Sequence, residues 1–187
     1  MQPIYRLFSY LFYPGTLSLM GFYAVAPVKA EMLFWLVTMG CFVVLPLLFL
    51  GVFIKMGMAD SVHLPNSKQR NGLYFISVLS AFPALFYFHQ NDLKLPLSWG
   101  VCVIAVLLGL WLLNRFVLKA SAHMAAATGL LFFSLYSGFS LYPWLSMAVV
   151  LMPVLYASRL GLQAHTHREL WAGVAAGLVG GGLGCVI

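Results

Sequence analysis

Apolar residues run along this chain in long blocks rather than in alternation. Seven blocks, at about 7–26, 32–54, 72–89, 97–117, 123–140, 144–160 and 168–186, each approach the roughly 20 residues that cross a bilayer as α-helix. The short-period alternation of a lipid-facing barrel strand is absent, and a helix satisfies its backbone hydrogen bonds within the segment. The pattern predicts an all-α, polytopic transmembrane bundle that forms a single integral membrane domain over 1–187. Polar connections are short, the longest being the hydrophilic stretch from Ala59 to Gly72. The first block is interrupted by Pro14-Gly15, and Arg6 together with Ala24-Val25-Ala26 imitates a signal peptide. Its apolar region is broken and no clean polar region follows, so it reads as retained, either as a span or as a helix at the interface.

Composition agrees with that reading. Hydrophobic residues make up 63% of the 187 and charged residues 7%, against roughly 45–50% and 25% in ordinary globular proteins. A water-soluble fold, a disordered chain and a disulfide scaffold all need a different balance. The net charge of +6 does not point to nucleic acid, because the basic residues stand singly between apolar runs; anionic lipid or phosphate suits them better. Cys41, Cys102 and Cys185 lie far apart inside apolar runs and read as small hydrophobes. The glycine-rich end, Gly173 to Gly182, lacks the Gly-Lys-Ser/Thr ending of a phosphate loop, and small residues four apart there predict close helix packing.

Seven spans would put Arg6, Lys55, Lys68, Arg70, Arg115, Lys119, Arg159 and Arg168 on one face, leaving Lys29 and Lys94 on the other beside Glu31 and Asp92. Charge asymmetry alone follows from membrane insertion and needs no function. It does not account for His123, His165 and His167, which share the basic face. His165 and Glu169 are four apart, a spacing that lets a carboxylate accept from one imidazole nitrogen and leave the other free to attack. Arg159 offers a guanidinium fork suited to phosphate oxygens, and Ser121 and His123 open an apolar helix whose first N–H groups favour an anion. The four acids are too dispersed to assemble a metal site, and His165 and His167, two apart, do not share a helix face.

The segment Ser158-Arg159-Leu160-Gly161-Leu162-Gln163-Ala164-His165-Thr166-His167-Arg168-Glu169 resembles the third motif of the type-2 phosphatidic acid phosphatase superfamily: Ser-Arg, five residues, His, three residues, Asp. Ser121-Ala122-His123 is similar to the second motif, Pro-Ser-Gly-His, with Ala120 for Pro and Ala122 for Gly. The resemblance covers roughly residues 60–186 and implies a six-span phosphatase core with an additional N-terminal helix. It implies His165 as nucleophile, Glu169 as its orienting acid and His123 as the acid for the leaving oxygen. Arg159, Ser158, Ser121 and the amide of Ala122 would hold phosphate. Glu169 stands where the family has Asp, and the first motif, Lys, six residues, Arg-Pro, is absent in strict form. Lys68 and Arg70 are its nearest counterparts, and Lys119 joins them as a phosphate-binding cation.

The expected function is a membrane lipid phosphatase, with no cofactor or metal, acting on a lipid phosphate or prenyl pyrophosphate through a phosphohistidine. The alternative is a non-catalytic transporter or lipid-headgroup-binding subunit of the same fold; a histidine-ligated metal or haem protein is disfavoured by the spacing. The resemblance places such a protein in a bacterial-type inner membrane with its site facing the periplasm. A four-to-two excess of the remaining cations (Arg6, Lys55, Arg115 and Arg168 against Lys29 and Lys94) points the other way.

Overall fold

A computed structural model describes residues 2–58, 67–138 and 141–186, with backbone alone for residues 2, 67–68 and 141–149. Among the described residues the fold is all-helical and contains no strand. The helices are α1 (Gln2–Leu11), α2 (Pro14–Val25), α3 (Met32–Met39), α4 (Leu45–Lys55), α5 (Ser67–Gln90), α6 (Lys94–Phe116), α7 (Ala122–Tyr136), α8 (Leu141–Gly161) and α9 (His167–Gly184). A π-helical turn, Gly40–Val44, joins α3 to α4. Three helical stretches are long and apolar enough to cross a membrane: Met32–Lys55, Gln69–Gln90 and Lys94–Phe116. Ala122–Tyr136 and Val150–Gly161 are shorter apolar helices.

Two breaks in the pattern have local causes. Proline cannot donate a backbone hydrogen bond, and its ring clashes with the carbonyl four residues back. At Pro46 the chain absorbs this by widening into the π turn just upstream, where the Leu45 N–H reaches Gly40 O. At Pro14 it breaks instead. The apolar block expected as one element over 7–26 is two helices, with Tyr13 extended between them (φ −60°, ψ 145°) and Pro14 opening the second. At 10 residues, α1 is about 15 Å long and too short to span. The expected hydrophilic loop also shortens, because residues 67–72 are already the first turns of α5. That helix, at 24 residues, is about 36 Å long, so its basic start extends past the apolar run.

The two ends of the bundle differ in chemistry. At one end Phe22, Phe34, Phe88, Trp99 and Phe133 form an aromatic cluster, with ring centroids 5.2 Å apart for Trp99–Phe133 and 5.6 Å for Phe34–Phe88. Trp99 Nε1 donates to Ser18 O at 2.9 Å, which ties α6 to α2. The opposite end collects α1, the starts of α5, α7 and α9, and the ends of α6 and α8. There the polar residues lie.

Helix α9 is the hub, and its glycines make it so. A Cβ on Gly173 would press into the Ser121 carbonyl, and one on Gly177 would lie 2.5 Å from Ala125 O, so α7 and α9 run nearly backbone to backbone. A Cβ on Gly184 would lie 2.6 Å from Cys102 Cβ, so the next face of α9 fits α6 as closely. The glycine-rich segment is a packing surface, as its spacing predicted. Gly173→Ala is therefore expected to force α9 away from the start of α7 and to cost about 1–3 kcal/mol. A thermal melt in detergent checks this; an unchanged midpoint would mean that the two helices separate freely.

Candidate functional site

The starts of α7 and α9 lie side by side, pinned where Ser121 N donates to Glu169 O at 3.0 Å. Both helices run in the same direction, so two N-terminal dipole ends face one region. Ser121 is the N-cap of α7, but its side chain makes no capping bond; its Oγ is buried with no hydrogen-bond partner. The amide of Ala122 belongs to the first turn of this helix. Thr166 caps α9 by a capping box: its Oγ1 accepts from Glu169 N at 3.4 Å, and Glu169 Oε2 accepts from Thr166 N at 2.9 Å.

His165 therefore precedes the helix rather than lying within it. Four residues separate it from Glu169, but the carboxylate is brought near by the cap and not by a helical turn. Its Nδ1 lies 3.3 Å from Glu169 Oε2, yet the geometry makes no hydrogen bond and Nδ1 is left orphaned. Gln163, two residues earlier, adopts a left-handed conformation (φ 51°), which turns the chain from α8 to present the ring inward. The ring is buried.

Cations converge on it. Burial, and then the fields of Arg159, Lys119 and Arg70, push His165 down to about 3. Lys119 is also held below its ordinary value, first by burial and then by Arg70, and its Nζ donates to Ala164 O at 3.3 Å. Arg70 Nε and Nη2 and Arg159 Nε are buried without acceptors. The Tyr74 side chain hydrogen-bonds with Arg70. Buried charged donors without partners are costly, so this region has the electrostatics of a site prepared for an anion.

A depressed histidine titration has a consequence with a definite sign. Between pH 6.5 and about 3 the unfolded chain binds a proton at His165 that the folded chain refuses. Stability contributed by the neutral ring is present above 6.5 and falls as pH falls through that window, by up to about 1.4 kcal/mol per pH unit. His165→Gln is expected to show a shallower fall in thermal midpoint between about pH 6.5 and 4.5 than the native chain. Equal slopes would mean that His165 takes up its proton as readily in the folded chain as in the unfolded one.

The remaining expected residues divide. His123, buried at the start of α7, joins the site and packs edge-on against Tyr13 at 6.1 Å. Ser158 turns away from it and donates weakly to Tyr5 O at 3.4 Å. His167 pairs instead with the Tyr156 hydroxyl at 2.7 Å on the exposed side. The Lys68 side chain lies outside the described residues, although its backbone is in the first turn of α5. Among the described residues no group of three or more His, Cys, Asp or Glu could hold a metal.

Ser9 is the residue that the sequence did not disclose. Its Oγ accepts from Arg159 Nη1 at 2.7 Å and lies 3.4 Å from His123 Nε2, and its carbonyl oxygen is 3.1 Å from the same nitrogen. A lone serine in an amphipathic segment carries no signal, and its partners are 114 and 150 residues away. The chain matches no protein-family model, no curated protein and no solved structure.

Proposed function

We propose that this protein is an integral membrane lipid phosphatase, built on a six-span core, that cleaves a lipid phosphate or prenyl pyrophosphate through a phosphohistidine. The observation that carries the reading is the buried set of orphaned guanidinium nitrogens on Arg70 and Arg159, gathered with Lys119 around an uncharged imidazole. A phosphoryl group, doubly charged and rich in acceptors, satisfies those donors and relieves the mutual repulsion of the cations. The motif resemblance of 158–169 and 121–123 adds the roles.

In this mechanism His165 attacks phosphorus through Nε2, once that nitrogen leaves the Lys119 backbone and the ring proton moves to Nδ1, facing Glu169. The 3.3 Å gap closes to a hydrogen bond as positive charge develops on the ring. The phosphorus–oxygen bond to the lipid breaks, and His123, having taken the proton carried in by the phosphate monoanion, gives it to the leaving alkoxide. Water, deprotonated by His123, then attacks the phosphohistidine and releases inorganic phosphate, which restores both rings. Arg159, Arg70, Lys119 and the first amides of α7 hold the phosphoryl oxygens throughout.

The resemblance favours the outer face of a bacterial-type inner membrane, against the excess of cations at the site end. An impermeant thiol reagent applied to intact cells carrying Met58→Cys tests the sidedness; labelling is expected, and protection until lysis would put the site inside. Activity is tested by phosphate release from phosphatidic acid and from a prenyl pyrophosphate by the purified chain in mixed micelles containing EDTA. Release from at least one is expected. Tight phosphate binding with no release would favour the non-catalytic headgroup-binding reading.

A further inference from the structure

The two faces of α1 belong to different environments. Tyr5 and Ser9, one turn apart, point into the bundle: the Tyr5 ring fills the space over Gly161, and Ser9 reaches Arg159 and His123. On the opposite face Ile4 (58%), Leu7 (56%), Tyr10 (61%) and Leu11 (53%) are exposed together. A 10-residue helix cannot bury such a face by spanning a bilayer. The same end of the bundle exposes Phe116 and Val117, 71% each, together with Arg6, Lys55, Arg115 and Arg168. The apolar face of α1, with Arg6 exposed on the same helix and further cations at the same end of the bundle, matches the boundary between acyl chains and anionic headgroups, and neither bulk water nor the acyl interior suits both parts.

Ser9 connects that face to the polar cluster. It presents an alcohol oxygen to the guanidinium of Arg159 and to the imidazole of His123. An alcohol oxygen between a phosphate-binding guanidinium and a proton donor occupies the place where the bridging oxygen of a lipid phosphate ester belongs.

We propose that α1 is an interfacial lid, seated by its apolar face in the headgroup–acyl boundary of an anionic lipid surface, and that Ser9 keeps Arg159 and His123 engaged until a lipid phosphate displaces it. The seating of α1 stands on exposure and charge alone; the displacement rests on the phosphatase reading. In this arrangement the substrate reaches the pocket sideways from the lipid, by exchange of one alcohol oxygen for another.

Two measurements on the full chain separate these parts. A nitroxide on Leu7→Cys, with Cys185 replaced by alanine and the buried Cys41 and Cys102 retained, is read in vesicles of phosphatidylcholine and phosphatidylglycerol. The label is expected to collide with oxygen and to be shielded from a water-soluble nickel chelate. Access to the chelate overturns the seating, and shielding from both probes overturns it in favour of a second copy of the chain. Titration of inorganic phosphate into Ser9→Ala and the native chain gives the second readout. Removing the internal competitor is expected to tighten phosphate binding about tenfold. Equal or weaker binding overturns the latch. Failure of both chains to bind phosphate overturns the latch together with the phosphatase reading, while the label depth still decides where α1 lies.

Discussion

His165→Ala is expected to abolish turnover, with a loss in kcat of at least about 10³–10⁴, while inorganic phosphate affinity stays within a few-fold of native. The split follows from the geometry. In the proposed mechanism the ring would supply the attacking lone pair, whereas the phosphate oxygens would be held by Arg70, Arg159 and Lys119, which bear on His165 from around it. Burial and those cations keep the ring neutral below its ordinary range, so as the proposed nucleophile it would need no separate base to prepare it. Phosphate release by the purified variant, beside a binding titration, checks both halves. Retained turnover would remove His165 from the chemistry, and lost binding would make it part of the anion cradle instead.

Arg159→Ala is expected to lower kcat/KM by about 10²–10³, equivalent to roughly 2.7–4 kcal/mol of transition-state stabilisation. Its Nη1 donates to Ser9 and its Nε is buried without an acceptor, so the guanidinium still has a donor to offer. Arg159→Lys is expected to recover only part of the loss, because a point charge cannot reproduce the planar fork. Kinetics on phosphatidic acid for the three chains test this ordering. A lysine variant as active as the native chain would reduce Arg159 to a general source of positive field.

Much of the site was legible because an apolar bundle leaves polar residues few places to go. Lys119, His123, Arg159, His165 and Glu169 flank apolar blocks separated by an even number of crossings, so span parity alone brings them to one end, where the structure has them. The spacing of small residues in α9 was readable for the same reason: in helix packing a missing side chain is itself a signal. Glu169 was legible as the neighbour of His165, but not how it arrives there. The helix starts at His167, and the carboxylate is held by Thr166 N in the cap, a use that residue spacing does not distinguish from a helical turn.

Other features depended on tertiary contacts that no local pattern encodes. Pro14 announced a break, yet only the packing of Tyr5 on Gly161 and of Ser9 on Arg159 shows that the segment before it folds back over the end of α8 and onto the polar cluster. Ser158 sits in the segment that resembles a phosphate-binding motif and faces α1 instead, because the returning helix supplies Tyr5 O as its acceptor. Arg70 was assigned to a loop; helix continues back to Ser67 and carries the guanidinium into the cluster on a rigid element, with Tyr74 one turn further on bonded to it.

Trapping the covalent intermediate tests the central claim most directly. The native chain is mixed with phosphatidic acid carrying a radiolabelled phosphate, quenched in alkali, which preserves phosphohistidine, and digested. A histidine phosphorylated through the mechanism above gives label on the peptide containing His165, stable in base, discharged by acid, and absent from His165→Ala. Rapid phosphate release with no label on that peptide, or with label on another residue, would contradict it.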